Sequence, residues 1–272
     1  MNNRIIILGY KGMLGQMVNA YFSEQNFDVI LFNNRFEQNT IKSFVEDLNQ
    51  FNDSIIINCI GRIKQKSNDT LDLVWANSLL PLELASNLKK GHFLIQPSTD
   101  CVFSGDSKDF YNKDEPHDAK DIYGWSKSLG ESALAGMSNS MVLRVSIIGW
   151  DNFSNKGLLS WFVNNPEGEK IKGYTDHYWN GITTLEWCKI IHRLINEDNL
   201  KSNKIIQSGT KNRYSKYEML LIFKTVFRPD LDVIPFSTGD NLNRCLNPDF
   251  NINNLEDQLI ELKNFLKSKN II

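Results

Sequence analysis

The chain has 272 residues, of which 41% are hydrophobic and 23% are charged, and its formal net charge is −2. This composition is typical of a globular protein, and the lack of a basic surplus excludes nucleic acid as an expected partner. Four cysteines lie far apart and four histidines have no metal-ligand spacing, so the sequence predicts neither disulfides nor a metal site. The first apolar run is too short for a signal peptide and no run approaches a membrane span, which predicts a cytoplasmic protein without membrane association.

The chain opens with a strand, a glycine turn and a helix. Residues 5–8 form an aliphatic run typical of a parallel strand buried on both faces. The run passes directly into G-Y-K-G-M-L-G at residues 9–15, after which apolar residues recur at helical spacing. Glycines there let the backbone approach a pyrophosphate, and the helix N-terminus supplies free N–H groups. The pattern favours a dinucleotide site over a plain tight turn, and the cofactor-binding candidates in it are Gly9, Lys11, Gly12, Met13, Leu14 and Gly15.

The second strand, residues 28–32, runs into Asn33, Asn34 and Arg35. An acidic residue at this point favours NAD, whereas an arginine suits the additional 2′-phosphate of NADP. The sequence therefore predicts NADPH as the cofactor, bound by Arg35 and Lys11, and leaves NADH open. The alternative for Arg35 is an exposed loop arginine without a ligand.

The third strand, residues 55–57, ends in Asn58, Cys59, Ile60 and Gly61. Small and amide side chains at such a strand end suit the wall of a cofactor cleft, so all four are cofactor-binding candidates. The basic segment 62–66 that follows either meets phosphates or is a solvated loop. A helical stretch over residues 70–89 carries Asn77 and tolerates its proline through a kink or a restart.

The fourth strand, residues 93–95, leads to the string S-T-D-C-V-F-S-G over residues 98–105. Hydroxyls at the carboxyl end of a parallel strand lie where open α/β sheets bind ligands. The next helix places Tyr123 and Lys127 on one face, because they are four residues apart. A cation near a phenol lowers its pKa and makes it a usable proton donor near neutral pH. An ordinary amphipathic helix with a solvated lysine is the alternative.

The remaining pattern completes an α/β protein. A fifth strand is predicted over residues 141–145, and later helices over 184–195, 216–227 and 255–266. We expect a Rossmann-type doubly wound parallel sheet with a smaller C-terminal substrate-binding lobe. The NAD(P)-binding domain is expected over residues 1–150 and the lobe mainly over 151–272, with the helix at 184–195 packing back on the first domain. The aromatic residues Trp161, Tyr174 and Trp179 are either core or pocket wall.

Four strings, in this order, carry a resemblance to a known family. They are G-Y-K-G-M-L-G at the first strand end, N-C-I-G at the third, S-T-D-C-V-F-S-G at the fourth and Y-G-W-S-K-S-L-G-E on the following helix. The later pieces T-T-L-E, S-K-Y-E-M-L and N-R-C-L-N-P extend the likeness over nearly the whole chain. The sequence resembles the extended short-chain dehydrogenase/reductase family, and within it the dTDP-4-dehydrorhamnose reductases and related nucleotide-sugar 4-ketoreductases.

The resemblance implies a reaction and roles for particular residues. The reaction is the NADPH-dependent reduction of the 4-keto group of a nucleotide-linked 4-keto-6-deoxyhexose, in deoxysugar biosynthesis for surface polysaccharide. By position, Thr99 is the catalytic hydroxyl, Tyr123 the general acid, Lys127 the lysine that binds the nicotinamide ribose, and Asn77 a support for the cofactor or a proton relay. The substrate-binding candidates are Asp100, Cys101, Val102, Phe103, Trp179 and Asn180.

Two departures from the family pattern leave the identity of the sugar open. Cys101 stands where the reductases usually have tyrosine, and N-C-I-G-R-I-K-Q replaces a run of alanines after the third strand. The acidic segment that mediates metal-linked dimers in some members is not recognisable, which also argues against a metal, while a homodimer remains open.

Three other activities of related proteins were weighed. A 4,6-dehydratase is disfavoured because Asp100 is followed by cysteine rather than glutamate. A 4-epimerase uses the same three catalytic residues but generally holds NAD, which the arginine after the second strand does not favour. A non-catalytic regulatory subunit, like the partner of methionine adenosyltransferase, is disfavoured by the intact Thr99, Tyr123 and Lys127.

Overall fold

A parallel sheet of six strands forms the centre of the part of the protein that the structure describes. The structure is a computed structural model, and it describes residues 3–37, 39–64, 69–151, 157–197, 200 and 204–272. The strands of this sheet are Arg4–Leu8 (β1), Asp28–Phe32 (β2), Ile55–Asn58 (β3), Phe93–Ser98 (β4), Ser140–Val145 (β5) and Lys204–Ser208 (β10). Their spatial order is β10-β5-β4-β3-β1-β2, with every neighbouring pair parallel. The predicted Rossmann-type doubly wound sheet is thereby confirmed.

The helices are joined to the strands in the alternating order that a parallel sheet requires. They are Met13–Phe22 (α1), Ile41–Leu48 (α2), Thr70–Val74 (α3), Leu80–Asn87 (α4), Ile122–Leu134 (α5), Leu158–Val163 (α6), Thr184–Asn196 (α7), Lys216–Phe227 (α8) and Leu255–Ser268 (α9). One π-helical turn, Trp75–Leu79, joins α3 to α4, and a short 3₁₀ turn, Asp100–Val102, follows β4.

The aliphatic run of β1 explains why both faces of the sheet are covered. Ile5 and Ile7 point into one apolar cluster, together with residues of α1 and α7. Ile6 and Leu8 point into a second cluster, together with residues of α2, α4 and α5. All four side chains are fully buried, and each such burial stabilises the fold by about 1.5–3 kcal/mol. The period of two along the strand therefore fixes the sheet between two helix layers.

The sheet reverses its strand order between β1 and β3, and this places the crevice at their carboxyl ends. The chain runs outward from β1 to β2 on one side, and from β3 to β4 and β5 on the other. Open α/β sheets bind their ligands at such a switch point. The glycine turn, the end of β3 and the end of β4 therefore meet at one edge of the sheet.

The C-terminal part builds a smaller layer beside this edge. Its strands are Ile147–Ile148 (β6), Lys170–Tyr174 (β7), His177–Trp179 (β8), Ile182–Thr183 (β9), Tyr214–Ser215 (β11), Asp232–Phe236 (β12) and Leu242–Asn243 (β13). They form the pairs β7–β12 and β6–β9 and the three-stranded sheet β11-β8-β13. Within this stretch, α7 and β10 return to the large sheet, so the two regions alternate along the chain. None of the helices in the described ranges is long and apolar enough to cross a membrane.

Candidate active site

The glycine turn between β1 and α1 has no room for side chains at two of its three glycines. Gly9 adopts a φ of +69°, and a Cβ there would lie 2.8 Å from Ile60 Cγ1 and 2.9 Å from the Ile60 backbone nitrogen. A Cβ on Gly15 would lie 2.7 Å from Tyr10 Cα, because α1 packs directly against the turn. Helix α1 begins after Gly12 without a side-chain cap, so its first N–H groups face the crevice free of a capping side chain. This turn fits the pyrophosphate of a dinucleotide.

A pocket of about 680 Å³ opens beside the glycine turn. Its walls come from the turn, the residues after β2, the end of β3 and the π-helical turn. At the β2 side, Tyr10 Oη donates to Asn33 Oδ1 at 2.5 Å, and the Arg35 side chain is 86% exposed. Arg35 Nη1 lies 3.9 Å from Glu37 Oε1, the only carboxylate within 4 Å of it among the described residues. The pocket fits the adenosine half of a dinucleotide, with Arg35 at the place of the ribose.

The end of β3 shapes the floor of this pocket. Asn58 is buried, and its amide donates to Gln96 Oε1 at 2.8 Å while its Oδ1 accepts from Ile60 N at 3.1 Å. Cys59, Ile60 and Gly61 line the pocket. Burial raises the pKa of the Cys59 thiol, which therefore stays neutral.

Asn77 lies in the π-helical turn and is 2% exposed. Its Oδ1 accepts from Arg62 N at 3.0 Å, and its Nδ2 donates to Arg62 O at 2.9 Å and to Ser126 Oγ at 3.1 Å. The side chain therefore clamps the segment after β3 and joins it to α5. This positions the cleft wall next to the helix that carries Tyr123.

The three residues expected to be catalytic meet where β4 ends against α5. Thr99 is 5% exposed, and Tyr123 and Lys127 are half-buried on the facing side of α5. The Lys127 ammonium donates to the carbonyl oxygen of Pro97 at 2.8 Å. Burial lowers the pKa of Lys127 to about 8, and the carboxylate of Glu131 opposes this shift. Lys127 therefore keeps its proton at neutral pH less firmly than an exposed lysine does.

The expected lowering of the pKa of Tyr123 is wrong for this structure. Burial raises that pKa, because a phenolate without water is disfavoured, while a hydrogen-bond interaction with the Thr99 hydroxyl acts in the opposite direction. The charges of Cys101, Asp100 and Asp121 add to the rise in the pKa of Tyr123. Tyr123 therefore keeps its proton near neutral pH, which is the form that a general acid needs.

The turn after Thr99 orders the polar groups beside it. Thr99 Oγ1 accepts from Cys101 N at 3.2 Å and donates to Asp100 Oδ1 at 3.0 Å. Cys101 Sγ lies 3.7 Å from the same carboxylate oxygen, and burial raises the pKa of its thiol to about 12. Because a carboxylate only accepts, the hydroxyl proton of Thr99 points at Asp100.

Two cations from the C-terminal layer, Lys216 and Arg244, lie around this turn, and a third, Arg213, belongs to the same layer. Lys216, the first residue of α8, places its Nζ 5.9 Å from the centre of the Trp179 ring. Burial lowers the pKa of Lys216, and Asp100 and Cys101 oppose this shift. Arg244 donates through Nε to Phe103 O at 3.0 Å, and its Nη1 lies 3.9 Å from Cys101 Sγ. Arg213 stacks over Tyr178 at 4.6 Å. Among the described residues, none of the three has a carboxylate within 4 Å.

Comparison with known proteins decides the family. The sequence model of the RmlD substrate binding domain family matches residues 3–201, which is more than half of the chain. The chain belongs to this family. The fold is similar to that of a dTDP-4-dehydrorhamnose reductase from Bacillus anthracis, which was solved in complex with NADP. The two superpose with a TM-score of 0.81 at 19% identity, over 98% of this chain and all of that one.

Curated relatives of this RmlD-family protein are similar over only part of their length. A probable dTDP-4,6-dihydroxy-2-methyloxan-3-one 4-ketoreductase from Streptomyces antibioticus is 30% identical over 149 residues, covering 53% of this chain and 50% of the relative. The methionine adenosyltransferase 2 subunit beta of Pongo abelii is 28% identical over 164 residues, covering 54% and 47%. The chain therefore spans about half the length of the curated relatives that it matches.

Within this RmlD-family fold, some residues expected from sequence to bind substrate are placed elsewhere. Val102 and Phe103 are fully buried and pack with Tyr111 and Leu246 in a small apolar cluster, so they have no surface for a ligand. Asn180 is 2% exposed. Its Nδ2 donates to Thr210 O and to Leu246 O, and its Oδ1 accepts from Leu246 N. All three side chains are buried in the interior and hold other parts of the lobe in place, so their assignment to the substrate site stays a prediction.

The remaining substrate-binding expectations stay predictions. Asp100 and Cys101 lie at the turn beside Thr99, and Trp179 is buried behind Lys216 with its Nε1 donating to Ser146 Oγ at 2.8 Å. Lys216, Arg244 and Arg213 are not among the residues that the sequence predicts at the site. The strings S-K-Y-E-M-L and N-R-C-L-N-P contain two of them, yet no local pattern tells that their side chains reach a turn more than 100 residues earlier.

Proposed function

We propose that this protein is an NADPH-dependent ketoreductase that acts on the 4-keto group of a nucleotide-linked 4-keto-6-deoxyhexose, in deoxysugar biosynthesis for surface polysaccharide. The observation that carries the proposal is the protonated Tyr123 beside Thr99 and Lys127. These residues lie at the same edge of the sheet as a glycine turn that fits a dinucleotide, with the end of β3 between them. The family and the similarity to a probable 4-ketoreductase support the same reaction.

The chain's own residues divide the acid–base work. A bound reduced nicotinamide would supply hydride to the carbonyl carbon. Tyr123 donates its phenolic proton to the carbonyl oxygen as that oxygen gains negative charge. The ammonium of Lys127, one turn away on α5, favours the phenolate that remains. Thr99 binds the same oxygen once its hydroxyl rotates away from Asp100.

The cofactor would lie along the pocket beside the glycine turn. Gly9, Gly12 and the first N–H groups of α1 would hold its pyrophosphate. Arg35 would face the 2′-phosphate, which is the reason for proposing NADPH over NADH. The NADP complex of the Bacillus anthracis reductase supports this preference.

The two cations around the turn suit a doubly charged group of the substrate. Lys216 and Arg244 have no carboxylate within 4 Å among the described residues, and both approach the same turn as Thr99. A diphosphate bound there would place the attached sugar beside Thr99 and Tyr123. The cations thereby support a nucleotide diphosphate sugar and give the C-terminal lobe its proposed role in substrate binding.

The test is NADPH oxidation by a panel of nucleotide-linked 4-keto-6-deoxyhexoses that varies the nucleotide and the sugar. At least one member should oxidise NADPH with kcat in the usual enzyme range of roughly 1–10³ s⁻¹. Turnover without net consumption of NADPH, together with inversion at the fourth carbon, would instead identify a 4-epimerase. No turnover with any member would remove the proposal.

A second function, a non-catalytic regulatory subunit, is favoured by one finding. The similarity to methionine adenosyltransferase 2 subunit beta covers 54% of this chain. This reading predicts NADPH binding without turnover and a stable complex with a methionine adenosyltransferase. Mixing the two purified proteins and measuring their joint elution by size-exclusion chromatography separates it from the reductase.

A further inference from the structure

Three side chains spaced one helical turn apart on α5 contact three consecutive residues at the end of β4. The spacing i, i+4, i+8 places all three on one face of the helix. The contact pairs are Tyr123 facing Thr99, Lys127 Nζ donating to Pro97 O at 2.8 Å, and Glu131 Oε1 accepting from Ser98 Oγ. Glu131 thus belongs to the same row of contacts as the two candidate catalytic residues of the helix.

Glu131 is held from behind by a fully buried arginine. Arg144 Nη2 lies 2.8 Å from Glu131 Oε2, and Nε lies 3.2 Å from Oε1. The guanidinium is 0% exposed, and its remaining donors go to Gln207 Oε1 at 2.8 Å, to Lys113 O at 3.3 Å and to His117 Nε2 at 2.8 Å. A buried ion pair is costly unless its other groups are satisfied, and this one is satisfied from several elements. The pair therefore fixes the position of the carboxylate.

Glu131 is also the carboxylate that acts on Lys127. Among the described residues no carboxylate lies within 4 Å of the Lys127 ammonium, and Glu131 is one turn away. Burial lowers the pKa of Lys127 to about 8, and Glu131 is the group that opposes the shift. His117 accepts from Arg144, so it is neutral and donates through Nδ1 to Ser128 Oγ. The charged and titratable groups around this junction are Arg144 from β5, His117 from the loop after β4, Asp100 and Cys101 from the 3₁₀ turn, and Tyr123 from α5 itself.

We propose that Glu131, anchored by Arg144, is a positioning residue of the candidate active site: it holds the end of β4 against α5 and keeps Lys127 positively charged. Its consequence for turnover rests on the proposed function, whereas its effect on Lys127 does not. Without the carboxylate, Lys127 loses its proton within the neutral range and Thr99 loses its fixed place opposite Tyr123.

The direct test is an NMR titration of Lys127 in protein labelled at the lysine side chains, with Lys127→Met identifying the signal. In wild-type protein the signal should titrate near pH 8. Glu131→Gln keeps the shape and an acceptor for Ser98 but removes the charge, and the titration should move about one pH unit lower. Glu186→Gln, which removes a partly buried carboxylate from α7, is the matched control and should leave the signal of Lys127 in place. An unchanged Lys127 titration in Glu131→Gln would overturn the proposal.

Two further variants keep the test decisive if Glu131→Gln does not fold with Arg144 left unpaired. Glu131→Gln combined with Arg144→Met removes both buried charges, and the Lys127 titration should still move lower, because the carboxylate is the charge that acts on Lys127. Glu131→Asp keeps the charge while withdrawing the carboxylate by one methylene, and the titration should return close to the wild-type value. A Lys127 titration that stays at the wild-type value in the double variant would also overturn the proposal.

Turnover gives a second readout once a substrate has been found. The alkaline limb of the kcat profile should move about one pH unit lower in Glu131→Gln and return in Glu131→Asp, with KM for NADPH unchanged. If no keto sugar oxidises NADPH in the wild-type protein, the proposed function fails while the titration still decides the role of Glu131. A purely structural role would lower kcat at every pH without moving the limb.

Discussion

The proposed cofactor end and the proposed substrate end of the cleft are built in different ways. At the cofactor end, backbone groups from one continuous stretch form the turn, and Gly9 and Gly15 are fixed by contacts with residues next to them in the fold. At the substrate end, Lys216 and Arg244 reach a turn at residues 99–101 from another part of the chain. The cofactor end therefore depends on local backbone geometry, and the substrate end depends on how the C-terminal lobe packs. Variants at the two ends should separate cofactor binding from substrate binding.

The largest expected effect lies where the two ends meet. Tyr123→Phe removes the proton donor while keeping the ring, so kcat should fall by roughly two to four orders of magnitude. The dissociation constant for NADPH should stay within about threefold of wild type, because the glycine turn and the pocket after β2 are untouched. Steady-state kinetics and a fluorescence titration with NADPH measure the two quantities. Comparable kcat in the variant would remove Tyr123 from the reaction.

At the cofactor end, Gly9→Ala should weaken NADPH binding by at least about tenfold. The added methyl would overlap Ile60, and a non-glycine residue at positive φ costs about 1–2 kcal/mol in addition. Gly168→Ala is the matched control, because Gly168 also has a positive φ of 75° but nothing within 4 Å of an added Cβ. NADPH affinity equal in the two variants would show that close packing of the turn is not required.

At the substrate end, Lys216→Gln and Arg244→Gln should each raise KM for the nucleotide sugar by about tenfold, with KM for NADPH unchanged. The reason is the loss of one charge-assisted contact to the diphosphate, worth about 1.5–3 kcal/mol when fully formed. Lys170→Gln, an exposed lysine of the same lobe on β7, is the control and should have no effect. Kinetics with each substrate varied in turn separate the two constants, and a change confined to NADPH would reverse the assignment of the two ends.

The smallest effect is expected at Arg35. The side chain is 86% exposed, so a contact with the 2′-phosphate contributes at most about 1 kcal/mol. Arg35→Ala should therefore lower the preference for NADPH over NADH by up to about fivefold. Glu37→Gln should raise it slightly, because Glu37 competes for the same guanidinium at 3.9 Å. The ratio of kcat/KM for the two cofactors is the readout, and an unchanged ratio in both variants would place the 2′-phosphate elsewhere.

The difference between the two ends also explains what the sequence predicts. The glycine turn and the pair Tyr123–Lys127 are local patterns, and the structure places them at the same sheet edge because parallel strands end there together. The position of Lys216 and Arg244 beside the turn of Thr99 could not be predicted, because no sequence periodicity connects them with Thr99. The string that contains Val102 and Phe103 predicts both residues at the site, but their side chains pack in a buried apolar cluster of the lobe.

The protonation state of a side chain cannot be predicted from the sequence for a related reason. A lysine four residues after a tyrosine predicts a lowered pKa for the phenol, but the structure directs the ammonium to Pro97 O and buries the phenol. Burial then outweighs the neighbouring groups and raises the pKa of Tyr123. The spacing between Tyr123 and Lys127 predicts that they share one face of the helix. The direction in which the pKa of Tyr123 shifts depends on the packing around the two residues.

In the proposed reaction, hydride reaches the fourth carbon of a keto sugar in this cleft while Tyr123 protonates the oxygen. The most direct measurement uses NADPH carrying deuterium at the transferred position and the keto sugar that the panel identifies. We expect one deuterium bound to the fourth carbon of the product, seen by NMR and mass spectrometry, and labelling that is roughly two to four orders of magnitude slower with Tyr123→Phe. A product without deuterium at that carbon, or equal labelling by the Tyr123→Phe variant, would contradict it.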